Sequence, residues 1–397
     1  MANLVAREEI AHLIIRNDSS EILQRLNDAK AFLYIPVIVF LIILVVVGTL
    51  GNILVCCVYW SKPYKASSHY FILSLAILDL FSCVIGIPTE IADLRYPYMF
   101  YAPAACKLLR FVHSSTIIAS SCILIEVAFD RYFRICKLGR QYSVQKAKML
   151  CILAISLGIL TSWPSCLLFG RETIHLGIPG VEGIDCSTAD WAKGTIYPTL
   201  YYGFLFTLFF ITVTFFVVLY SRIGIVIWRR KKTTIGAKIA VSKSGINSQV
   251  SDPTSTEVSS EVDEHGTHKD QHTKEAVPAL GKDTLKQRQK MRVGKTTTVL
   301  FAVTLAYILS FLPFLIVMVL RSIIKDFEGR LSPTGEVAYK FCVKSFFINN
   351  AINPVIYSFL NASFRRDAKH LLRKVVRVCC CCRCCRTEDS WEHSDAV

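Results

Sequence analysis

The stretch that decides the fold runs from Cys106 to Tyr132 and reads CKLLRFVHSSTIIASSCILIEVAFDRY. A helix from Cys106 to Arg131 is roughly 37 Å long, enough to cross the hydrocarbon core of a bilayer and emerge on both sides. One end carries a thiol, and the other carries the acid–base sequence Asp130-Arg131-Tyr132. We therefore interpret the stretch as a membrane-spanning helix with a cysteine at one end and an acid–base pair at the other.

The composition also indicates a membrane protein. Of the 397 residues, 53% are hydrophobic and only 19% are charged, less charge than a soluble domain of this length carries. The net charge of +15 is compatible with nucleic-acid binding, but the basic residues cluster at the ends of apolar runs, as membrane orientation requires. The 16 cysteines lie mostly inside apolar runs or in one terminal cluster. We expect neither a nucleic-acid partner nor a disulfide scaffold.

Seven apolar runs are each long enough to cross a bilayer, and we refer to them as the first to seventh spans. Their approximate limits are Phe32–Tyr59, Tyr70–Asp93, Ala105–Arg131, Met149–Gly170, Thr195–Trp228, Thr296–Leu320 and Tyr339–Leu360. The sequence thus predicts an all-α membrane protein, in which residues 32–360 form a bundle of seven transmembrane helices.

The loops between the spans determine the orientation. Basic residues concentrate after the first, third, fifth and seventh spans, as at 229–232, and are sparser elsewhere. The positive-inside rule therefore places residues 1–31 outside the plasma membrane and residues 361–397 in the cytoplasm. Residues 1–31 contain no apolar core of a signal peptide. Asn17 begins a glycosylation triplet on the outer side, although such triplets are common by chance.

Two cytoplasmic segments differ in composition from the spans. Residues 231–293 form a long linker of low hydrophobicity, and the polar part at 242–272 is predicted to be disordered. Basic and apolar residues alternate over 362–378, which predicts a short amphipathic helix in the inner membrane interface. This helix is followed by Cys379, Cys380, Cys381, Cys382, Cys384 and Cys385. Such cysteines favour S-palmitoylation over a zinc site, which would need spaced pairs and histidines.

Polar residues inside membrane spans are costly and usually functional. Here they form motifs on particular spans: Gly-Asn at 51–52, Leu-Ala-x-x-Asp at 75–79, Asp-Arg-Tyr at 130–132 and Asn-Pro-x-x-Tyr at 353–357. Each motif alone is weak. In this order, and over all seven spans, they make the chain resemble a rhodopsin-like (class A) G-protein-coupled receptor.

The resemblance implies an activation switch at the cytoplasmic end. Asp130 would pair with Arg131 at rest, and Arg131 would then turn to open a cleft for a helix of a heterotrimeric G protein. Arrestin and a receptor kinase are further implied partners. The residues assigned to the switch and to coupling are Asp130, Arg131, Tyr132, Tyr220, Phe311, Pro313, Asn353, Pro354 and Tyr357.

Two further sites follow from the resemblance. A disulfide would join Cys106 to Cys186 in the second extracellular loop, on the oxidising side of the membrane. The polar residues Asp79, Ser120, Asn349 and Asn353 would hold a sodium ion in the inactive state, the one candidate cofactor. The alternative is a hydrogen-bonded cluster that only packs the helices together.

The resemblance also places a ligand pocket among the outer halves of the spans. Its candidate residues are Glu90, His113, Ile117, Phe311, Met318, Arg321, Lys340 and Lys344. His113 stands where amine receptors carry an aspartate, and Phe347 stands where opsins carry their retinal-binding lysine. Neither a monoamine nor retinal is therefore expected.

The segments around Glu90 and Phe347 are similar to those of neuropeptide receptors, so we predict a neuropeptide ligand. Glu90 would bind a basic group of the peptide and Arg321 an acidic one; alternatively, these charges pair with one another. A lipid or another small molecule is the alternative ligand. A seven-span transporter would show internal repeats, which we do not find. An enzyme is not expected, because the intramembrane acids occupy receptor positions.

Overall fold

The computed structural model describes residues 18–137, 142–246, 280–324 and 327–388. Its helices are α1 (Ser19–Leu33), α2 (Ile35–Trp60), α3 (Ser67–Phe81), α4 (Ile87–Arg95), α5 (Pro103–Cys136), α6 (Val144–Leu168), α7 (Tyr197–Ile246), α8 (Leu280–Ile323), α9 (Pro333–Lys344), α10 (Ile348–Leu360) and α11 (Ala362–Glu388). One antiparallel hairpin pairs β1 (Phe169–His175) with β2 (Glu182–Thr188).

The helices form the predicted bundle of seven spans. Among the described residues, six segments are long and apolar enough to cross a membrane: 35–60, 67–95, 103–136, 144–168, 197–230 and 298–321. The seventh span consists of α9 and α10, of 12 and 13 residues, joined by a 3₁₀ turn at Ser345–Phe347. Each half alone is too short to cross, so the seventh span is continuous only through that turn.

The second span contains an irregular turn that positions the candidate pocket. Residues Ser82–Gly86 form a π-helical turn between α3 and α4, and Pro88 follows in the first turn of α4. A π turn adds a residue, so every later side chain is rotated relative to a regular helix. The carboxylate of Glu90, just beyond the turn, is fully buried. The sequence did not predict this turn.

A helix that the sequence analysis did not predict precedes the first span. The Asp18 side chain caps α1 by accepting a hydrogen bond from the Glu21 amide at 3.3 Å. Towards its end, Asp28 pairs with Arg95 at 2.8 Å and Lys30 pairs with Glu336 at 2.6 Å. These contacts hold α1 over the outer ends of the second and seventh spans.

The β-hairpin covers the same outer end and was likewise not predicted. The register pairs Arg171 with Cys186, whose sulfur is bonded to Cys106 at the start of the third span. The expected disulfide is thus present. Backbone hydrogen bonds from Phe100 to Ile184 at 2.9 Å and from Ile184 to Tyr98 at 2.8 Å join the hairpin to the loop after the second span.

At the opposite end, the predicted amphipathic helix is present as α11, but it is longer than expected and continues to Glu388. No proline or glycine interrupts the segment after residue 378, so nothing there stops a helix. Its first turns are fixed by Lys62, which pairs with Asp367 at 2.8 Å, and by stacking of Tyr59 on Phe364 at 6.1 Å.

The predicted linker at 231–293 also needs correction, because both of its ends are helical. Helix α7 continues to Ile246, and α8 begins at Leu280. Residues 280–293 are rich in Lys, Gln and Arg, which are good helix formers. Most of the segment predicted to be disordered, 242–272, lies outside the described residues.

Candidate functional site

A buried ionic cluster lies at the centre of the predicted ligand pocket. The Glu90 side chain is 1% exposed and forms an ion pair with Lys344 of the seventh span. Two groups of the third span also approach its carboxylate: Arg110 at 3.3 Å and His113 Nδ1 at 3.5 Å. Three of the predicted pocket residues, Glu90, His113 and Lys344, are thus brought together, and the ion pairs of Glu90 with Lys344 and Arg110 connect three spans.

Arg110 belongs to this site but was missing from the sequence prediction. Its guanidinium donates to the Cys186 carbonyl at 2.9 Å and lies 5.8 Å from the ring centre of Phe169. The disulfide and the hairpin therefore position this side chain. One signal was available in the sequence: Arg110 follows Cys106 by four residues and so lies on the same helix face.

Two further acids extend the charged region. Asp93 is buried, and its Oδ1 has no hydrogen-bond partner among the described residues. Asp185, next to the disulfide in β2, is also largely buried; burial raises the pKa of its carboxyl, and the nearby charge of Lys340 acts in the opposite direction. The pocket thus offers several acidic groups to a basic ligand.

Aromatic rings form the floor below the ionic cluster. The His113 ring lies 4.7 Å from that of Phe347 and 5.8 Å from that of Phe346. Phe346 continues to Phe311 at 5.9 Å, and Phe311 continues to Tyr307 at 4.7 Å. Phe311 therefore connects the pocket to the middle of the sixth span, where the resemblance places a switch residue.

The remaining predicted pocket residues lie apart from Glu90. Arg321 forms an exposed ion pair with Glu328 at 3.1 Å. The Lys340 ammonium lies 5.4 Å from the ring centre of Tyr34. Ile117 and Met318 are half-buried in the third and sixth spans. The structure thus divides the prediction into an inner ionic cluster and an outer rim.

The Asp-Arg-Tyr motif forms a buried ion pair at the other end of the third span. Asp130 accepts from Arg131 at 2.8 Å, from Arg134 at 2.8 Å and from the Ser67 hydroxyl at 2.9 Å. All but Arg134 are buried. Asp130 therefore has two cationic partners, of which the sequence analysis named only Arg131.

The other predicted switch residues flank this pair. The Tyr220 hydroxyl is bonded to Thr304 of the sixth span at 3.1 Å and donates to the Leu300 carbonyl at 3.3 Å, and among the described residues no hydrogen bond joins it to Arg131. The Tyr357 ring is buried 6.1 Å from Phe364, and its hydroxyl has no partner among the described residues. Tyr132 is half-buried. Pro313 and Pro354 lie inside α8 and α10 respectively.

The candidate sodium site contains buried oxygens that lack donors. Asp79 accepts from the Asn353 amide at 2.8 Å through Oδ2. Its Oδ1, and the Oδ1 atoms of Asn349 and Asn353, are buried with no hydrogen-bond partner among the described residues. Such acceptor oxygens suit a hard cation. Ser120, the fourth predicted ligand, is buried in the third span.

Two predicted modification sites cannot be described structurally. Asn17 lies outside the described residues. The cysteines from Cys379 to Cys385 lie in the last part of α11, beyond the side chains that the structure describes.

Sequence comparisons agree with this geometry. The model of the seven-transmembrane receptors of the rhodopsin family matches residues 51–357. Neuromedin-U receptor 2 of Rattus norvegicus is 22% identical over 374 residues, which cover 91% of this chain and 82% of that protein. The neuropeptide S receptor of Homo sapiens is 28% identical over 193 residues, 48% of this chain and 50% of the receptor. Cephalotocin receptor 1 of Octopus vulgaris is 24% identical over 229 residues, 54% and 53% of the two chains.

Proposed function

Because this chain belongs to the rhodopsin family of seven-transmembrane receptors, we propose that it is a G-protein-coupled receptor for an extracellular neuropeptide, and that Glu90 binds a basic group of that peptide. Coupling to a heterotrimeric G protein is a property of the family. The names of three relatives support a peptide ligand, since neuromedin-U, neuropeptide S and cephalotocin receptors are all similar to this chain.

The membrane orientation proposed from the loops is supported by the position of the disulfide. The Cys106–Cys186 bond and α1 lie at one end of the bundle, and Asp130 and α11 lie at the other. Disulfides persist in oxidising surroundings, whereas basic loops stay in the cytoplasm. We accordingly propose a multi-pass plasma-membrane protein with its N-terminus outside.

The buried carboxylate of Glu90 is the observation that carries the ligand proposal. Both of its oxygens are occupied by cations of the protein itself, Lys344 on one and Arg110 on the other, and His113 Nδ1 lies 3.5 Å from the second. A basic ligand must therefore exchange with an internal cation. A guanidinium can bind a carboxylate through two parallel hydrogen bonds, so an arginine of the peptide is suited to replace the single ammonium of Lys344.

The test is G-protein activation in cells that express this chain, screened with neuropeptides. We expect Arg131→Ala to abolish the response at normal surface expression. Glu90→Gln should weaken an active peptide by about 30-fold or more, because truncating one partner of a buried charge pair costs about 2–5 kcal/mol. An analogue of that peptide with citrulline in place of arginine should be less potent than the arginine peptide on the wild type. On Glu90→Gln the two peptides should have nearly the same potency.

Matched variants make the outcomes distinguishable. Arg366→Ala and Glu182→Gln make the same charge changes at exposed positions, and both should respond as the wild type does. Silence towards all peptides, with basal signalling that depends on Arg131, would keep the receptor and remove the peptide ligand. An equal loss for the arginine and citrulline peptides on Glu90→Gln would remove Glu90 as the contact.

A sodium ion is proposed as an allosteric ligand of the resting state. Three buried, unpaired acceptor oxygens of Asp79, Asn349 and Asn353 support it. When bound, the ion would balance the charge of Asp79, whose carboxylate accepts, among the described residues, a single hydrogen bond from the Asn353 amide.

The cytoplasmic and modification partners are also proposals. Arrestin and a receptor kinase would act on the activated state, and membrane lipid would contact α11. We further propose palmitoylation within the cysteine cluster 379–385 and glycosylation at Asn17, both motivated by local sequence.

A further inference from the structure

Asp93 is a buried acid to which the proposed ligand site gives no role. The residue lies in α4 and is only 9% exposed, and its Oδ1 has no hydrogen-bond partner among the described residues. Within the part of the chain that the structure describes, Asp93 also forms no ion pair. Because a carboxylate buried without a partner is costly, a cation that reached Asp93 would be stabilised there.

The lysine that pairs with Glu90 is close enough to reach Asp93 as well. Asp93 follows Glu90 by three residues on α4, and side chains at that spacing lie on one helix face with Cβ atoms about 5–6 Å apart. Lys344 is the cation whose charge acts most strongly on Asp93. Its flexible four-carbon stem allows the ammonium to pass from one carboxylate to the other by a change of rotamer.

The charges in this part of the pocket are unbalanced. Those that act most strongly on Asp93 belong to Asp185, Glu90, Lys344 and Arg110. With Asp93 itself they amount to three acids and two cations, so this group of charges lacks one cation. A ligand that brings one basic group to Glu90 would balance the group, provided that the displaced lysine stays within it.

Arg110 is less free to move than Lys344. Its guanidinium pairs with Glu90 at 3.3 Å and also donates to the Cys186 carbonyl at 2.9 Å. The disulfide-linked hairpin therefore holds this cation in place. Among the described residues, the hydrogen bond and the ion pair of the Lys344 ammonium both go to Glu90.

We propose that a basic group bound at Glu90 transfers Lys344 to Asp93, so that Asp93 is a positioning residue of the ligand response. This inference rests on the proposed binding of a basic group by Glu90. Before the transfer, Lys344 connects the seventh span to Glu90. After it, the same lysine connects the seventh span to a residue almost one helical turn nearer the outer end of the second span.

The transfer would act on the sixth span through the turn that follows Lys344. Ser345, the first residue of the 3₁₀ turn, donates from its hydroxyl to the Ser310 carbonyl at 2.8 Å. Ser310 directly precedes Phe311, one of the predicted switch residues. A displacement of Lys344 thus reaches a segment that is hydrogen-bonded to the switch region.

Melting temperatures of the purified full chain test the transfer without a ligand, because Glu90→Gln removes the same charge that a bound basic group neutralises. Two double-mutant cycles combine Asp93→Asn with Lys344→Gln, one in the wild type and one in Glu90→Gln. In the wild type the two changes should be additive, and Asp93→Asn alone should not lower the melting temperature. In Glu90→Gln, Asp93→Asn should lower it by about 3 °C, but only where Lys344 is retained.

The matched control replaces the neighbouring acid of the hairpin by Asp185→Asn, which should show no coupling to Lys344 in either cycle. Three results would overturn the proposal. They are coupling of Asp93 to Lys344 already in the wild type, no coupling in Glu90→Gln, and coupling of Asp93 to Arg110→Gln in place of Lys344→Gln.

Basal G-protein activation in cells gives a second measurement that needs no purified protein. At equal surface expression, Glu90→Gln should raise ligand-independent signalling severalfold, and Glu90→Gln/Asp93→Asn should restore the wild-type level. Equal signalling by these two variants would overturn the role of the transfer in the response. The melting cycles require neither a peptide nor a G protein, so a receptor that answers no peptide would remove the proposed function and leave their outcome unaffected.

Discussion

At the scale of single residues, the main feature of the pocket is the way in which the negative charge of Glu90 is balanced by neighbouring cations. A buried carboxylate is stable only when cations or donors surround it, and here the cations come from two different spans. The side chains that balance the charge of Glu90 would therefore compete with the proposed basic ligand. Ligand exchange at Glu90 would free Lys344, and with it one of the connections between the second and seventh spans.

A double-mutant cycle on this pair measures that connection. We expect Glu90→Gln and Lys344→Gln each to destabilise the receptor by about 3 kcal/mol, because each leaves a buried charge with fewer partners. The double variant should lose no more than the worse single variant. Melting temperatures of the purified protein give the comparison. As a control, the same cycle on the exposed pair Arg321 and Glu328 should give a coupling free energy of at most about 1 kcal/mol. Additive stability losses for Glu90→Gln and Lys344→Gln would contradict the ion pair between Glu90 and Lys344.

The second residue-scale prediction concerns Asp130, whose carboxylate holds Arg131 by a buried ion pair. Asp130→Asn removes that charge, so Arg131 is released more easily and basal G-protein activation should rise severalfold. The measurement is ligand-independent signalling normalised to surface expression. Asp367→Asn, the same change on the same side of the membrane, is the control. Unchanged or lower basal activity in Asp130→Asn would show that this pair does not hold the resting state.

At the scale of elements, irregular helices determine which side chains meet. The π turn in the second span and the 3₁₀ turn in the seventh span each lie within a few residues of a member of the ionic cluster. The π turn changes the direction of Glu90, which follows it, whereas Lys344 is the last residue before the 3₁₀ turn; the two groups face each other across the pocket. If both spans were regular helices, the sequence positions of Glu90 and Lys344 would not indicate that these two side chains face each other.

Close packing of the third and fourth spans yields an element-scale prediction. A Cβ at Gly158 would lie 2.5 Å from the Ser115 carbonyl oxygen and 3.1 Å from the Ala119 backbone nitrogen. Because backbone atoms cannot move aside cheaply, Gly158→Ala should destabilise the receptor by about 1–3 kcal/mol. Gly224→Ala in the fifth span, where a Cβ meets nothing within 4 Å, should be neutral or slightly stabilising. Thermal unfolding compares them; equal stability of the two would refute the close contact.

At the scale of the whole molecule, the polar sites form three layers along the bundle axis. The Glu90 cluster lies at the end of the bundle that carries the Cys106–Cys186 disulfide, the Asp79 and Asn353 pair lies in the middle, and the Asp130 pair lies at the opposite end. The second, third and seventh spans each contribute to more than one of these layers.

The proposed sodium ion gives a prediction for the molecule as a whole. A ligand that binds the resting state stabilises it by mass action, so sodium chloride should raise the melting temperature more than potassium chloride at equal ionic strength. Asp79→Asn should abolish the difference between the two salts. Asp93→Asn, a buried aspartate outside this layer, should preserve it. A sodium effect that persists in Asp79→Asn would assign the ion to another site.

The sequence by itself determined the seven spans and the motifs of the family resemblance, and that resemblance in turn implied the disulfide partners Cys106 and Cys186. Apolar runs of sufficient length follow directly from the thickness of a bilayer, and motifs such as 130–132 are local in the chain. The resemblance, rather than any local pattern, identified Glu90, His113 and Lys344 as pocket candidates.

Only the tertiary structure decided which of these groups interact. Arg110 joins the pocket because the disulfide-linked hairpin accepts its hydrogen bond, and Arg134 joins the Asp130 pair one helical turn along the third span. The helix α1 and the β-hairpin depend on contacts with other spans, whose distance in sequence hides them from any local pattern. A buried charge in a helix bundle needs partners of opposite charge or hydrogen-bond donors, and these often come from segments far apart in the sequence. Those segments meet only when the chain has folded.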